Sequence, residues 1–422
     1  MAPSGKAPIY LDYNGTTPID PEVCRAMSLM MSQHWGNPSS SHYYGVQAKK
    51  AIETARRQCA ELIGAEPGEM TFMSNGTETI NQALKGLAEM GEAEGRRHFI
   101  TQASEHVAVL EVCKALERHG CEVTYLPVDA EGLVNPQTLE AAITPRTICV
   151  SIMHSNNETG ALQPIKEIVQ RVRKASNRVY VHCDASQSLG KLPVDVNKLL
   201  GFSCDASRRE VGCGPVDHGR PQALRAQRSW CLVQAIHRSS FASAPPWCRT
   251  GVGAPGEHRE CDPHRGPGES VRDRAEGPGE EPEAHARDAR QVISATSSRP
   301  WLQSMAPRSG QKLVFEGHLM RQNGPLEARL PNTLSASFFK VEANTLLSEA
   351  ADEVAASAGA ACHSDEVHMS HVLEAMGVSK EWAMGTCRFT LGRESTGQEV
   401  DQAAKVLAKI ALRLMPGGPD EA

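Results

Sequence analysis

Val179-Tyr-Val-His-Cys-Asp184-Ala-Ser-Gln187 is a short apolar run that ends on a carboxylate and passes at once into small polar residues. Its β-forming residues predict a strand over Val179–Cys183. An aspartate just past such a strand has two readings. It caps the turn or helix that follows, or it is a buried carboxylate opposite a protonated ring nitrogen, holding a cofactor ring electron-poor. Gln187 is either a surface residue or a donor to the phenolic oxygen of such a ring. The surrounding pattern decides which architecture holds the run.

From Pro8 to about Leu200, β-type runs alternate with amphipathic helical stretches. Strands are expected at Pro8–Leu11, Met70–Ser74, His98–Thr101, Val123–Leu126 and Ile148–Met153. Helices are expected at Pro21–Met31, Ala48–Ile63, Glu78–Leu87, Val107–Arg118 and Ile165–Ala175. In the second of these, Ile52, Ala55, Cys59, Leu62 and Ile63 recur at the three- and four-residue steps of one buried face. Alternation of this kind builds βαβ units, hence a mostly parallel sheet with helices on both faces. Ligands then bind beyond the carboxyl ends of the strands.

Four strand ends carry polar residues. After Met70–Ser74 comes Asn75-Gly76-Thr77-Glu78, a glycine turn opening a helix, where unpaired N–H groups gather an anion or simply receive a cap. After His98–Thr101 comes Ser104-Glu105-His106, and a histidine there is either solvated or stacked on a ring as a proton carrier. After Ile148–Met153 comes Asn156-Asn157-Glu158-Thr159-Gly160. Asp184 and Gln187 complete the row. Their convergence on one edge is a stronger signal than any single member.

Near the other end, Ser357-Ala-Gly-Ala-Ala-Cys362-His363-Ser364-Asp365 surrounds a cysteine with small residues, a context that suits an accessible nucleophile better than a packed thiol. Cys362, His363, His368 and His371 lack the paired spacing of zinc sites, so no metal is expected. Arg388 is either one half of an ion pair or a fork for a substrate carboxylate. Around it a strand is expected at Thr333–Phe339, with helices at Asn344–Ala356 and Val400–Leu412.

The middle of the chain is different. Between Leu199 and Gln311 there are fifteen arginines and no lysine, with abundant Gly, Pro and Ser. No helical or strand period persists there, apart from a patch around Cys231–Ile236. Such composition does not bury enough apolar surface to offset the entropy of ordering. A shifted reading frame in a GC-rich gene accounts for it best, ahead of a disordered insertion or a retained intron. Four regions follow: 1–20, an N-terminal segment packing with the small domain; 21–201, the large domain; 202–312, the anomalous segment; 313–422, a small α+β domain carrying the Cys362 loop.

Composition narrows the function. The 422 residues carry a net charge of -6, with 40% hydrophobic and 22% charged residues, as in ordinary soluble globular chains. An acidic balance without a basic stripe argues against nucleic acid, and no apolar run reaches the length of a membrane span. With no signal peptide before the first strand, a cytoplasmic location is expected. The 13 cysteines show no framework spacing, and buried thiols are expected.

In combination, Leu11-Asp-Tyr-Asn14-Gly-Thr-Thr-Pro18, Trp35-Gly-Asn37-Pro, Asn75-Gly-Thr77-Glu, Ser104-Glu-His106, Asn156-Asn-Glu-Thr-Gly160, Asp184-Ala-Ser-Gln187, Arg329-Leu-Pro-Asn-Thr-Leu334 and Arg388-Phe-Thr-Leu-Gly392 resemble the NifS-like cysteine desulfurases and selenocysteine lyases of the class V aminotransferase superfamily. The resemblance covers about residues 8–200 and 315–415. It implies fold type I of the pyridoxal-phosphate (PLP) enzymes, with a large domain on a mostly parallel, seven-stranded type of sheet. By the same resemblance, His106 stacks on the PLP ring, Asp184 pairs with its nitrogen, and Gln187 and Asn157 reach the ring oxygen and the substrate. Gly76 and Thr77 hold phosphate, Asn37 and Arg388 bind substrate, and Cys362 handles the departing selenium or sulfur. The Cys362 loop is more similar to that of selenocysteine lyases, which implies conversion of selenocysteine to alanine and selenide. The alternatives are a cysteine desulfurase that forms a persulfide and a catalytically dead relative acting as a binding protein. A homodimer and a selenium- or sulfur-accepting partner protein are also implied. The family's His-Lys pair, whose lysine forms the Schiff base, is missing from the anomalous segment.

Overall fold

The structure, a computed structural model, describes residues 7–199, 320–359 and 369–415, and the backbone alone of Trp230–Val233, Ala361–Cys362 and Val367–His368. The chain enters through β1 (Ile9–Tyr10) and builds its main sheet from β2 (His98–Gln102), β3 (Glu122–Leu126), β4 (Thr147–Ser151), β5 (Tyr180–Asp184) and β6 (Trp230–Val233). These five run parallel in the order β3-β2-β4-β5-β6. Every residue of β2 and β4 is buried, as a parallel sheet covered on both faces requires. Alternation sends neighbours to opposite layers. Phe99 and Cys149 face the helices Gly76–Ala93 and Val107–Arg118, while Ile100 and Val150 face Pro136–Ala142 and Ile165–Ala175.

The second layer is built from β7 (Met320–Asn323), β8 (Thr333–Phe338), β9 (Val354–Ala355), β10 (Ser357–Ala358), β11 (Ala361–Cys362), β12 (Val367–His368) and β13 (Thr386–Thr390). Strands β10-β13-β8-β7 form an antiparallel sheet, and β11 pairs with β12. Its core takes in Ile9 and Leu11 from the start of the chain, with Phe338, Leu346, Phe389 and Leu407. Strand β1 lies parallel to β9, Ile9 opposite Val354.

Val107–Arg118 and Ile165–Ala175 form as expected from their spacing. Two expected elements do not. Met70–Ser74 belongs to no strand, because a strand exists only through its ladder and no described strand pairs with it. The helix expected over Asn344–Ala356 ends at Glu349. Val354 and Ala355 instead pair with Ile9 and Tyr10, a long-range partner that local periodicity does not reveal. Of the anomalous segment only β6 is described, joined to β5 with Asp184 opposite Val233; all other expectations for 202–312 lie outside the described residues.

Candidate active site

The carboxyl ends of β2, β4 and β5 bring Glu105, His106, Met153 and Asp184 to one edge of the sheet. Glu105 is fully buried. Its Oε1 accepts the Met153 N–H at 2.6 Å, while Oε2 has no partner. Burial, aided by the nearby Asp184 charge, pushes the Glu105 carboxyl well above the usual carboxylate range, which favours the neutral acid. His106 opens the helix Val107–Arg118, its Nδ1 accepting the Ala108 N–H at 3.2 Å. That contact leaves the ring proton on Nε2, and burial lowers the His106 pKa and keeps the ring neutral.

Asp184 caps the turn that follows it and keeps one oxygen clear of that cap. Oδ1 accepts the Ser186 N–H at 2.9 Å and the Ser186 hydroxyl at 2.6 Å, an Asx turn that starts the next segment. The other oxygen has no hydrogen-bond partner among the described residues, although Asp184 is buried. Behind it, His182 bonds Ser151 Oγ through Nδ1 at 2.8 Å and leaves Nε2 unpaired. Burial pushes the His182 pKa down to about 4.

A second cluster ties distant parts of the chain together. Asn14 Nδ2 donates to the Asn157 carbonyl at 3.2 Å and to Thr333 Oγ1 at 2.9 Å. Its backbone N–H donates to Thr390 Oγ1, and its carbonyl accepts from Gln187 Nε2. Asn14 Oδ1 accepts from Lys191 Nζ at 2.6 Å and from Asn332 Nδ2 at 3.3 Å. Lys191 also donates to Gln187 Oε1 at 2.8 Å. Gly190, at a φ of 77°, makes the left-handed turn between Gln187 and Lys191 that a side chain would strain. Arg388 donates from Nη2 to Asp12 Oδ1 at 2.7 Å and from Nη1 to the Asn157 carbonyl at 3.1 Å. Its guanidinium is therefore already paired, and a substrate carboxylate must compete with Asp12 for it. Asn157 offers its backbone to this cluster, and its side-chain amide makes no hydrogen bond among the described residues.

The Cys362 hairpin is held at both ends. The Gly359 N–H donates to the Thr386 carbonyl at 2.7 Å. On the far side Ser370 Oγ donates to Glu158 Oε2 at 2.6 Å and His371 Nε2 to the Glu105 carbonyl at 2.8 Å. Glu158 has its pKa raised by burial. The backbone of Cys362 pairs with Val367; its side chain lies outside the described residues.

Other expected site residues make none of these contacts among the described residues. Thr77 is exposed in the first turn of its helix with Gly76, and Asn75 caps that turn by accepting the Glu78 N–H. Asn37 is exposed and bonds only within its own turn. Beside Lys191 opens a cavity of about 340 Å³ lined by Tyr13, Pro18, Asn332, Gly392 and Arg393. Gly392 is required there, since a Cβ would lie 1.9 Å from the Tyr13 ring. Sequence reasoning gives Glu105 and Asp12 no role of their own and sets Lys191 aside because it precedes the strand expected to carry the lysine and follows no histidine. No spacing marks Lys191, since the left-handed Gly190 interrupts any helical step from Gln187.

The donor set fits the cofactor that the resemblance implies. An open Asp184 oxygen suits a ring nitrogen and a neutral His106 suits a ring face. Among the described residues no group of three metal-ligating side chains comes together, and no helix is long and apolar enough to cross a membrane.

Comparison with known proteins identifies the family. The class-V aminotransferase family model matches residues 9–205, ending where the composition changes. A cysteine desulfurase IscS of Anaeromyxobacter sp. (strain K) is 38% identical over 98% of this chain and 95% of its own. The solved structure of a NifS-like protein superposes with a TM-score of 0.63 at 28% identity, covering 96% of this chain and 98% of that one. A second, titled SspA in complex with cysteine, gives 0.60 at 25% identity over 90% of this chain and 98% of its own.

Proposed function

Because the chain belongs to the class V aminotransferase family, among its NifS-like members and their PLP-dependent fold type I, we propose that it removes sulfur from cysteine with pyridoxal phosphate and passes it on through Cys362. Its relatives bear the name cysteine desulfurase, which favours this over the selenocysteine lyase suggested by the Cys362 loop. The observation that carries the reading is the convergence of the open Asp184 oxygen and neutral His106 on one sheet edge. When bound, PLP would supply an electron sink that stabilises negative charge at the substrate α-carbon, which weakens the Cα–H bond and, one carbon on, the Cβ–S bond.

The protein's part is to bind and orient. Asp184 pairs through its open oxygen with the protonated ring nitrogen, and His106 covers a ring face with Nε2–H as its donor. Asn157 and Arg388 take the substrate, the guanidinium exchanging Asp12 for the substrate carboxylate. Gly76 and Thr77, at a helix start, take the phosphate, and Asn37 belongs to the substrate side. The sulfur leaves cysteine for the Cys362 thiolate as a persulfide, alanine is the other product, and an acceptor protein takes the sulfur onward in the cytoplasm.

The chain forms a homodimer in this reading. The helix Pro21–Gln33 buries none of its residues and exposes Val23, Met27, Met30 and Met31, with Trp35, Tyr43 and Tyr44 beyond it, an apolar surface of the kind partners cover. The test is alanine release from cysteine and from selenocysteine by the PLP-treated protein. Faster release from cysteine, lost in Cys362→Ser, is expected; a protein that gives alanine from neither is not a desulfurase. That second result fits the catalytically dead relative, a reading favoured by the absence of lysine from 199–311.

A further inference from the structure

The only lysine that the described residues place in the site is Lys191, and nothing about its surroundings is typical of a structural lysine. Its amine bonds two neutral oxygens, Asn14 Oδ1 at 2.6 Å and Gln187 Oε1 at 2.8 Å. No carboxylate pairs with it among the described residues. The charged group facing it is the Arg388 guanidinium, itself paired with Asp12. A lysine whose task is to hold two segments together normally keeps its charge and acquires an acid. Burial, with Arg388 adding repulsion, instead pushes the Lys191 pKa down to about 7. At neutral pH it therefore carries on the order of a thousandfold more free amine than a surface lysine of ordinary pKa.

Position adds a second argument. The turn past β5 that begins at the Asp184 carboxylate ends at Lys191, whose amine lies 2.8 Å from Gln187 Oε1 and lines the cavity described above.

We propose that Lys191 is the residue of this chain that bonds covalently to the aldehyde of pyridoxal phosphate, in place of a lysine on the strand following Asp184. The inference rests on the reading that the chain binds this cofactor. The neutral Nζ adds its lone pair to the aldehyde carbon, and the carbonyl oxygen departs as water with the two amine hydrogens. A C=N double bond remains. No oxidant or reductant takes part, and the bond is reversible until reduced.

The test uses the full chain incubated with PLP, reduced with borohydride and digested for peptide mass spectrometry. The phosphopyridoxyl mass is expected on Lys191, with labelling half-maximal near pH 7. Lys191→Ala should lose that label while binding pyridoxamine phosphate, which has no aldehyde, as tightly as the unaltered chain. Binding of pyridoxamine phosphate shows that the variant is folded and the pocket intact. A label on another lysine, or PLP retained without any reducible bond, overturns the assignment of Lys191 and leaves the cofactor reading standing. Failure of the unaltered chain to bind either PLP or pyridoxamine phosphate overturns both.

Discussion

The two halves of the site solve opposite problems. At the sheet edge, buried polar atoms have no partners among the described residues: Glu105 Oε2, Ser104 Oγ and His182 Nε2. In the cluster around Asn14, nearly every polar atom is satisfied by a residue far away in sequence, with Arg388 Nε left over. An unpaired buried group costs free energy that a bound ligand can recover, so the sheet edge is poised to receive one. The Asn14 cluster is already closed, and a ligand enters only by displacing an internal bond. One region supplies vacant valence; the other supplies rigidity and competition.

Removing the open carboxylate breaks the comparison most severely. Asp184→Ala should lower alanine release from cysteine by roughly 100-fold or more while leaving the urea midpoint little changed. A large stability loss with retained turnover would place Asp184 among the merely structural residues. On the closed side the outcome reverses. Asn14→Ala strands Lys191, Asn332, Thr333 and the Asn157 carbonyl as partners and should destabilise the protein by about 2 kcal/mol in urea unfolding; no measurable loss would mean the cluster is not a clamp.

Glu105→Gln sharpens the contrast through pH. The Glu105 carboxyl is raised in the folded state, so the native form holds a proton the unfolded chain gives up. Its contribution is complete below the ordinary carboxylate range and is lost as pH rises above it. The glutamine keeps the bond to Met153 and does not ionise. Its melting temperature should exceed that of the parent by a few degrees near neutral pH, with the gap closing in acid; a gap that is the same at both pH values removes the titration argument. The smallest effect is expected at Asp12→Asn. Freeing Arg388 from its internal carboxylate should lower KM for cysteine about threefold at unchanged kcat, and a raised KM would show that Asp12 positions Arg388 rather than competing for it.

Elements with strong periodicity were legible in the sequence to within a residue or two. Val107–Arg118 and Ile165–Ala175 carry buried positions at helical spacing, and Asp184 announces itself as the end of an apolar strand. The elements that were illegible owe their form to partners. Val354–Ala355 is a strand because of Ile9 and Tyr10, and Met70–Ser74 is not one because no described strand pairs with it. Pro136–Ala142 was missed despite its Asn135 cap and leading proline. For the candidate site, residue type singled out His106, Asp184, Asn157 and Gln187, whereas Glu105 and Lys191 stand out only through burial and missing counter-charges. Those are properties of three-dimensional surroundings that no spacing rule encodes.

The bonds of Asn14 also set a timetable. Its nearest partners in sequence lie more than 140 residues away at Asn157, and its backbone is tied to Thr390, 376 residues on. Contacts of such separation form late, since the entropy of closing the loop must be met before they stabilise anything. A ribosome making this chain releases Asn14 long before Thr390. The clamp therefore waits on synthesis: a chain interrupted before Thr390 leaves the Asn14 side of the site unassembled.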